Sequence, residues 1–336
     1  MHKTLCLALL LAASAAHALT ADDATSKQTV DFRQWQKRAD AEQAAADSAL
    51  ADLKKRAAAG DAAAQFELGF IYAEGRGVAQ DYAQARAWYE KAAVQGNADA
   101  QYNLGVLYSE GQGVAQDYTQ ARAWYEKAAA QGDAKAQYSL GALYQKGLGV
   151  AQDDAQARAW YEKAAAQGFS AAQVNLGALY SEGRGVAQDY GKAREWWEKA
   201  ATQGSSHAQY NLGVLYENGA GVAVDHHQAI AWYEKAAAQG YAEAAYTLGV
   251  IYHLGRGIPK DIVKAREWFE KAAAKGHPRA EYTLGIIYYN GDGVPEDKAK
   301  AREWFEKAAA QTFDRLARKA AQQTLQEIAQ ETGKQP

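Results

Sequence analysis

Leu-Gly recurs seven times at a spacing of 36 residues, beginning at Leu68, Leu104, Leu140, Leu176, Leu212, Leu248 and Leu284. A tryptophan keeps the same register at Trp88, Trp124, Trp160, Trp196, Trp232, Trp268 and Trp304. An aspartate does so at Asp81, Asp117, Asp153, Asp189, Asp225, Asp261 and Asp297. No insertion or deletion interrupts the series. A chain built this way folds as an array of one supersecondary unit, because each copy must bury its apolar face on the next.

Each copy reads as two helices. Ala100, Leu104, Leu107 and Tyr108 fall at i, i+4, i+7 and i+8, the stripe of a first amphipathic helix. Tyr118, Ala121, Tyr125 and Ala128 form the stripe of a second, with Trp124 alongside and Arg122, Glu126 and Lys127 on its wet side. Gly105 sits inside the first helix, where glycine costs about 1 kcal/mol against alanine. A close approach of another helix there accounts for it. Asp117 is placed to accept the orphan N–H groups of the second helix, with Gln120 three residues on as a capping-box-like partner. Asp81, Asp153 and Asp225 repeat that pair, whereas Asp189, Asp261 and Asp297 keep only the cap. Gly111 and Gly113 follow a helix rather than a strand, so they read as the hinge of an αα-hairpin and not as a phosphate loop. The first is expected to be left-handed at the helix end, the second to let the chain turn back. Helices of about 13 to 15 residues are marginal alone in water, so the pairs must stack as an all-α solenoid.

The stretch "AQYNLGVLYSEGQGVAQDYTQARAWYEKAAAQG" resembles a Sel1-like repeat, a relative of the tetratricopeptide repeat, and the resemblance extends over all seven copies. It implies a right-handed superhelix of antiparallel helix pairs with an inner concave surface. It also implies a scaffold that binds a protein or peptide rather than an enzyme with a cofactor. A cysteine-rich branch of that family is linked to penicillin binding or β-lactamase-like activity. This chain has neither those cysteines nor a Ser-x-x-Lys nucleophile motif. Binding of cell-wall glycan is the alternative.

Composition narrows the partners. Lys and Arg number 37 against 40 Asp and Glu, which argues against a nucleic-acid partner. Lys3, the apolar run Leu5 to Ala16 and the small-residue pattern Ala16-His17-Ala18 read as a secretory signal cleaved after Ala18. The mature chain is then periplasmic or secreted, without cysteine, not inserted in a membrane, and a monomer. The organisation expected is a signal peptide over 1–18, a flexible segment over 19–33 and an N-terminal capping helix over 34–61. Seven repeats over 62–311, a C-terminal capping helix over 312–331 and a tail over 332–336 complete it. No metal or catalytic site is expected: His226 and His227 diverge, His207, His253 and His277 are scattered, and no His-Glu-x-x-His pair exists.

The candidate binding surface is the arc of the first helix opposite its core stripe. At 100° per residue it holds Asp99, Tyr102, Asn103, Val106, Ser109 and Glu110. Read down the array, one register gives Phe66, Tyr102, Tyr138, Val174, Tyr210, Tyr246 and Tyr282, and the next gives Glu67, Asn103, Ser139, Asn175, Asn211, Thr247 and Thr283. Tyr offers flat apolar area with a polar tip, and Asn can pair with both groups of a peptide backbone, a pattern suited to an extended segment. Equally, the tyrosines pack between repeats and the asparagines brace their helix. Two registers vary most: Ser109, Gln145, Ser181, Glu217, His253 and Tyr289 in one, Asp99, Lys135, His207, Glu243 and Arg279 in the other. These are candidates for specificity, because they differ where the scaffold repeats.

Overall fold

The computed structural model describes residues 32–312 and 314–331. The expected signal and residues 19–31 of the expected flexible segment lie outside them, as do Phe313 and the tail. The described residues form sixteen α-helices and no strand, and none of these helices is long and apolar enough to cross a membrane. Two compact units divide the chain, residues 1–167 and 168–336. The first holds α1 (Phe32–Ala58) and three helix pairs: α2 (Ala62–Glu74) with α3 (Tyr82–Val94), α4 (Ala98–Glu110) with α5 (Tyr118–Ala130), and α6 (Ala134–Lys146) with α7 (Asp154–Ala166). The second holds α8 (Ser170–Glu182) with α9 (Tyr190–Thr202), α10 (Ser206–Asn218) with α11 (His226–Ala238), α12 (Ala242–Leu254) with α13 (Ile262–Ala273), and α14 (Pro278–Asn290) with α15 (Lys298–Ala310). It ends on α16 (Arg315–Glu331). Each unit is a stack of helical hairpins, the architecture of an α-solenoid.

Local chemistry sets each hairpin. Gly111 ends α4 at φ 70°, ψ 30°, and its N–H donates to the Leu107 carbonyl. Asp117 Oδ1 accepts from the Thr119 and Gln120 N–H groups at 2.9 and 3.0 Å. The other half of the expected capping box does not form. The Asp117 N–H donates instead to the Tyr108 carbonyl at 2.9 Å, tying the second helix back onto the first. Gly105 is where α5 comes closest: a Cβ there would fall on the Tyr125 ring. Gly113, at φ 65°, does more than turn the chain. A Cβ on it would come within 2.6 Å of the Tyr82 carbonyl carbon, in the preceding repeat.

Burial joins successive repeats. Leu104 and Leu107 of α4 pack with Tyr89, Ala92 and Ala93 of α3, and Trp124 lies against that cluster from α5. The Lys127 ammonium caps the Trp124 ring 3.8 Å from its centroid. The Trp–Lys pair recurs in all seven repeats, from Trp88–Lys91 to Trp304–Lys307. It keeps a large ring half-covered without a polar cost.

A polar seam, not foreseen from the sequence, runs through the same interface. Gln101 is buried, donates to the Ala93 carbonyl of the preceding repeat at 3.0 Å and accepts from Gln131 Nε2 at 2.8 Å. Gln65–Gln95, Gln137–Gln167, Gln173–Gln203 and Gln209–Gln239 make the same pair. Gln65 and Gln137, like Gln101, also donate to a carbonyl of the preceding helix, so these buried amides couple three helices with donor and acceptor both used. In the sixth repeat both members are exchanged together, for Ala245 and Lys275. In the seventh the buried member is Glu281, whose carboxyl burial pushes above its usual range while the Gln311 amide opposes the rise.

The ends use smaller surfaces. Leu53 and Ala57 of α1 are buried with Ala64, Leu68 and Ile71 of α2. On α16 the inward stripe is Ala317, Ala321 and Ile328, and Leu316 points to solvent, 77 % exposed.

Candidate binding face

The five tyrosines of the candidate arc are half-buried, and each packs on the ring that the second helix of its own repeat turns inward. Ring centroids lie 5.7 Å apart for Tyr102–Tyr125, 5.6 Å for Tyr138–Tyr161, 5.4 Å for Tyr210–Tyr233, 5.7 Å for Tyr246–Phe269 and 5.6 Å for Tyr282–Phe305. These are the separations at which offset and tilted aromatic pairs attract. Burial raises the Tyr102 and Tyr210 phenols above their usual range, and the Ser139 and Thr247 hydroxyls of the following repeat work against the shift. Burial is also the main cause at Tyr246, whose ring stacks on His277 at 4.6 Å.

The asparagine register divides. The Asn103 amide donates to the Asp99 carbonyl of its own helix at 3.0 Å. The Thr247 and Thr283 hydroxyls do the same to the Glu243 and Arg279 carbonyls at 2.9 and 2.7 Å. Asn175 and Asn211, on the consecutive first helices α8 and α10, are half-buried and make no side-chain hydrogen bond to the described residues.

The first variable register proves to be coupled to the inward ring. Ser109 Oγ lies 3.2 Å from the Tyr125 hydroxyl, Gln145 accepts from the Tyr161 hydroxyl at 2.8 Å, and Glu217 accepts from the Tyr233 hydroxyl at 2.7 Å. Glu217 also accepts from Arg256 at 3.2 Å. His253 faces Phe269, which has no hydroxyl, and its buried Nδ1 has no hydrogen-bond partner among the described residues. Tyr289 lies beneath Lys298, 5.4 Å from ring centroid to ammonium. Three different side chains of this register thus meet the same kind of internal partner, a tyrosine hydroxyl sixteen residues on, a link that helical periodicity alone does not display. In the second variable register His207 sits 4.8 Å from the Tyr241 ring, and Arg279 pairs with Asp314 at 2.9 Å. Glu243 meets His277 at 2.9 Å, and that hydrogen bond holds its carboxyl below the usual range. Val106 is half-buried beside the core that its own repeat shares with the next.

Within the second unit the arc opens into a cleft of about 360 Å³. Ala178, Ser181 and Trp197 of the fourth repeat line one side, and Asn211, Val214 and Asn218 of the fifth line the other. Asn211 thus presents its unpaired amide to a concavity in the size range of ligand sites. The sequence placed Asn211 on this face. It carried no sign of the cleft, which depends on the neighbouring repeat.

Comparison with known proteins agrees with this architecture. No curated protein matches the chain in sequence. A protective antigen of uropathogenic Escherichia coli strains, displaying an SLR fold, is 32 % identical, with a TM-score of 0.61 over 98 % of this chain and 81 % of that one. A Sel1 repeat protein from Oxalobacter formigenes is 34 % identical, with a TM-score of 0.66 over 75 % of this chain and 98 % of that one. Yeast Tom70, 14 % identical with a TM-score of 0.50 over 88 % of this chain and 60 % of that one, shares the fold alone. The Sel1 repeat model matches residues 62–97, 98–133, 134–169, 170–205, 206–241, 242–277 and 278–313. Seven unbroken copies of one hairpin, sealed by the same caps, glycines and aromatic contacts, make this chain a member of the Sel1 repeat family.

Proposed function

We propose that the protein is an exported interaction scaffold that grips an extended segment of a partner protein along the first-helix arc. Sel1 repeat proteins generally mediate protein–protein interaction, and the scaffold is typically not enzymatic. The observation that carries the choice of face is the pair of unpaired amides, Asn175 and Asn211, at one register of consecutive helices. A carboxamide offers a donor and an acceptor side by side, the complement of a peptide unit. Two of them in series suit an extended backbone better than a folded surface. Export is supported by the charged start, short apolar run and Ala16-His17-Ala18 of the sequence.

The test is capture of peptides selected from a random display library on the full chain, measured by fluorescence polarisation. Asn175→Ala with Asn211→Ala should weaken capture at least tenfold while the helical circular dichroism is unchanged. Asn103→Ala, whose amide is occupied within its own helix, should leave capture intact. Undiminished binding by the double variant would remove the arc from consideration. For export, intact mass of the protein expressed with its own N-terminus should correspond to a chain starting at Leu19.

A further inference from the structure

We propose that the cleft between α8 and α10 is a specificity subsite that seats one uncharged aromatic side chain of the bound segment. This rests on the reading of the first-helix arc as the binding face.

One repeat lacks a ring that the others have. Six repeats set a first-helix aromatic against the inward ring of the second helix, from Phe66–Tyr89 at 5.8 Å to Tyr282–Phe305 at 5.6 Å. The fourth repeat has Val174 at that register and Trp197 as its inward ring. Among the described residues Trp197 makes no ring contact, although Tyr190 also lines the cleft. Its one polar atom, Nε1, donates to the Val174 carbonyl at 3.1 Å, so its contribution to the cleft is hydrocarbon. A ring entering the cleft would give Trp197 the kind of partner that every other inward ring already has.

Space points the same way. The register that forms the wall of the cleft reads Phe70, Val106, Ala142, Ala178, Val214, Val250 and Ile286. Alanine at 178 is what leaves room. Ala142 is equally small, but there the Tyr138–Tyr161 pair is complete and Gln145 holds the Tyr161 hydroxyl. Only the fourth repeat combines the small residue with the missing ring.

Charge then selects the occupant. Glu182, at the rim, is paired with Arg184 at 3.3 Å, and the Ser181 hydroxyl donates to the Ala178 carbonyl at 2.9 Å. The Asn211 amide is left to meet the backbone beside the seated side chain. A charged side chain would be desolvated against Trp197 and Val214 without a free counter-charge, whereas a neutral ring loses nothing.

The experiment uses the same display library on the full chain, followed by synthetic peptides. Selected peptides should share an aromatic residue at one position. Its replacement by alanine should weaken binding at least tenfold to the unaltered protein, a measurement that needs no protein variant. Ala178→Ile should weaken binding by a similar factor, and on that variant the peptide's aromatic-to-alanine change should have no further effect. Ile286 occupies this register in the seventh repeat, so the variant should keep its helical spectrum. Ala142→Ile is the control and should bind as the parent does. Peptides that depend on Asn175 and Asn211 but share no aromatic, or that share a charged residue, and are indifferent to Ala178→Ile would overturn the subsite and leave the face standing. Peptides indifferent to the asparagines as well, or no peptides at all, would overturn both.

Discussion

The second and fourth repeats share a backbone and differ in what they leave open. In the second, Gly105 lets Tyr125 close against α4, Tyr102 packs on that ring at 5.7 Å, and Ser109 meets its hydroxyl at 3.2 Å. There the inward ring already has an aromatic partner and a hydroxyl partner on the arc. In the fourth, Gly177 admits Trp197 in the same manner, but the neighbouring register is Val174, and Ser181, which like Ser109 donates to its own helix, faces a ring without a hydroxyl. The indole N–H takes the Val174 carbonyl, and a cleft remains between this repeat and the fifth. A closed repeat sets spacing; an open one has room for something else. In a periodic molecule the informative places are those where two registers change together.

That contrast can be broken most forcefully at the shared glycines. Gly105→Ala and Gly177→Ala each place a Cβ on the inward ring, so both should cost about 3 kcal/mol, the upper range for overpacking a core. Urea midpoints measure it. If only one variant suffered, the two repeats would not share the close approach described here. Alkaline pH separates the repeats next. Burial pushes the Tyr125 phenol up to about 12, against about 10 in an unfolded chain. A group raised in the folded state gives stability that is whole below pH 10 and declines as pH rises towards 12. The slope should be about 1.4 kcal/mol per pH unit for this one residue. Tyr125→Phe should flatten the decline between pH 10 and 12, while Trp197→Phe, which removes no such proton, should leave its slope unchanged. A slope insensitive to Tyr125→Phe would count against a buried phenol there. The smallest effect tests sameness away from the arc. Lys127 and Lys199 lie 3.8 and 4.0 Å from the centroids of Trp124 and Trp196. Lys127→Ala and Lys199→Ala should each cost about 0.5 kcal/mol in thermal unfolding, equally in both repeats.

Much of this was legible in the sequence because the signals were local. The hairpin glycines, the Asp117 cap and the stripe of Ala100, Leu104 and Leu107 depend on residues within a turn or two of each other. The glutamine seam was not legible. Gln101 looks like an exposed polar residue until Gln131, thirty residues later, and Ala93, in the previous copy, are placed beside it. The partners of the variable register were hidden in a similar way. A helical wheel shows one helix at a time, whereas Tyr161 and Tyr233, which bond Gln145 and Glu217, arrive from the next. The two free asparagines lay within the predicted register, but only the contacts of Asn103 distinguish them from it.

The second hairpin glycine has a consequence for how such a chain can change length. Gly113 lies against the Tyr82–Ala83 backbone, Gly149 against Tyr118–Thr119, and Gly293 against Ile262, always one copy back. Each module is therefore finished by the one that follows it. Duplication or excision of a whole 36-residue block hands every glycine an equivalent neighbour, while a few residues gained inside a loop would strand one. The array is inherited, and can be engineered, in whole words rather than letters.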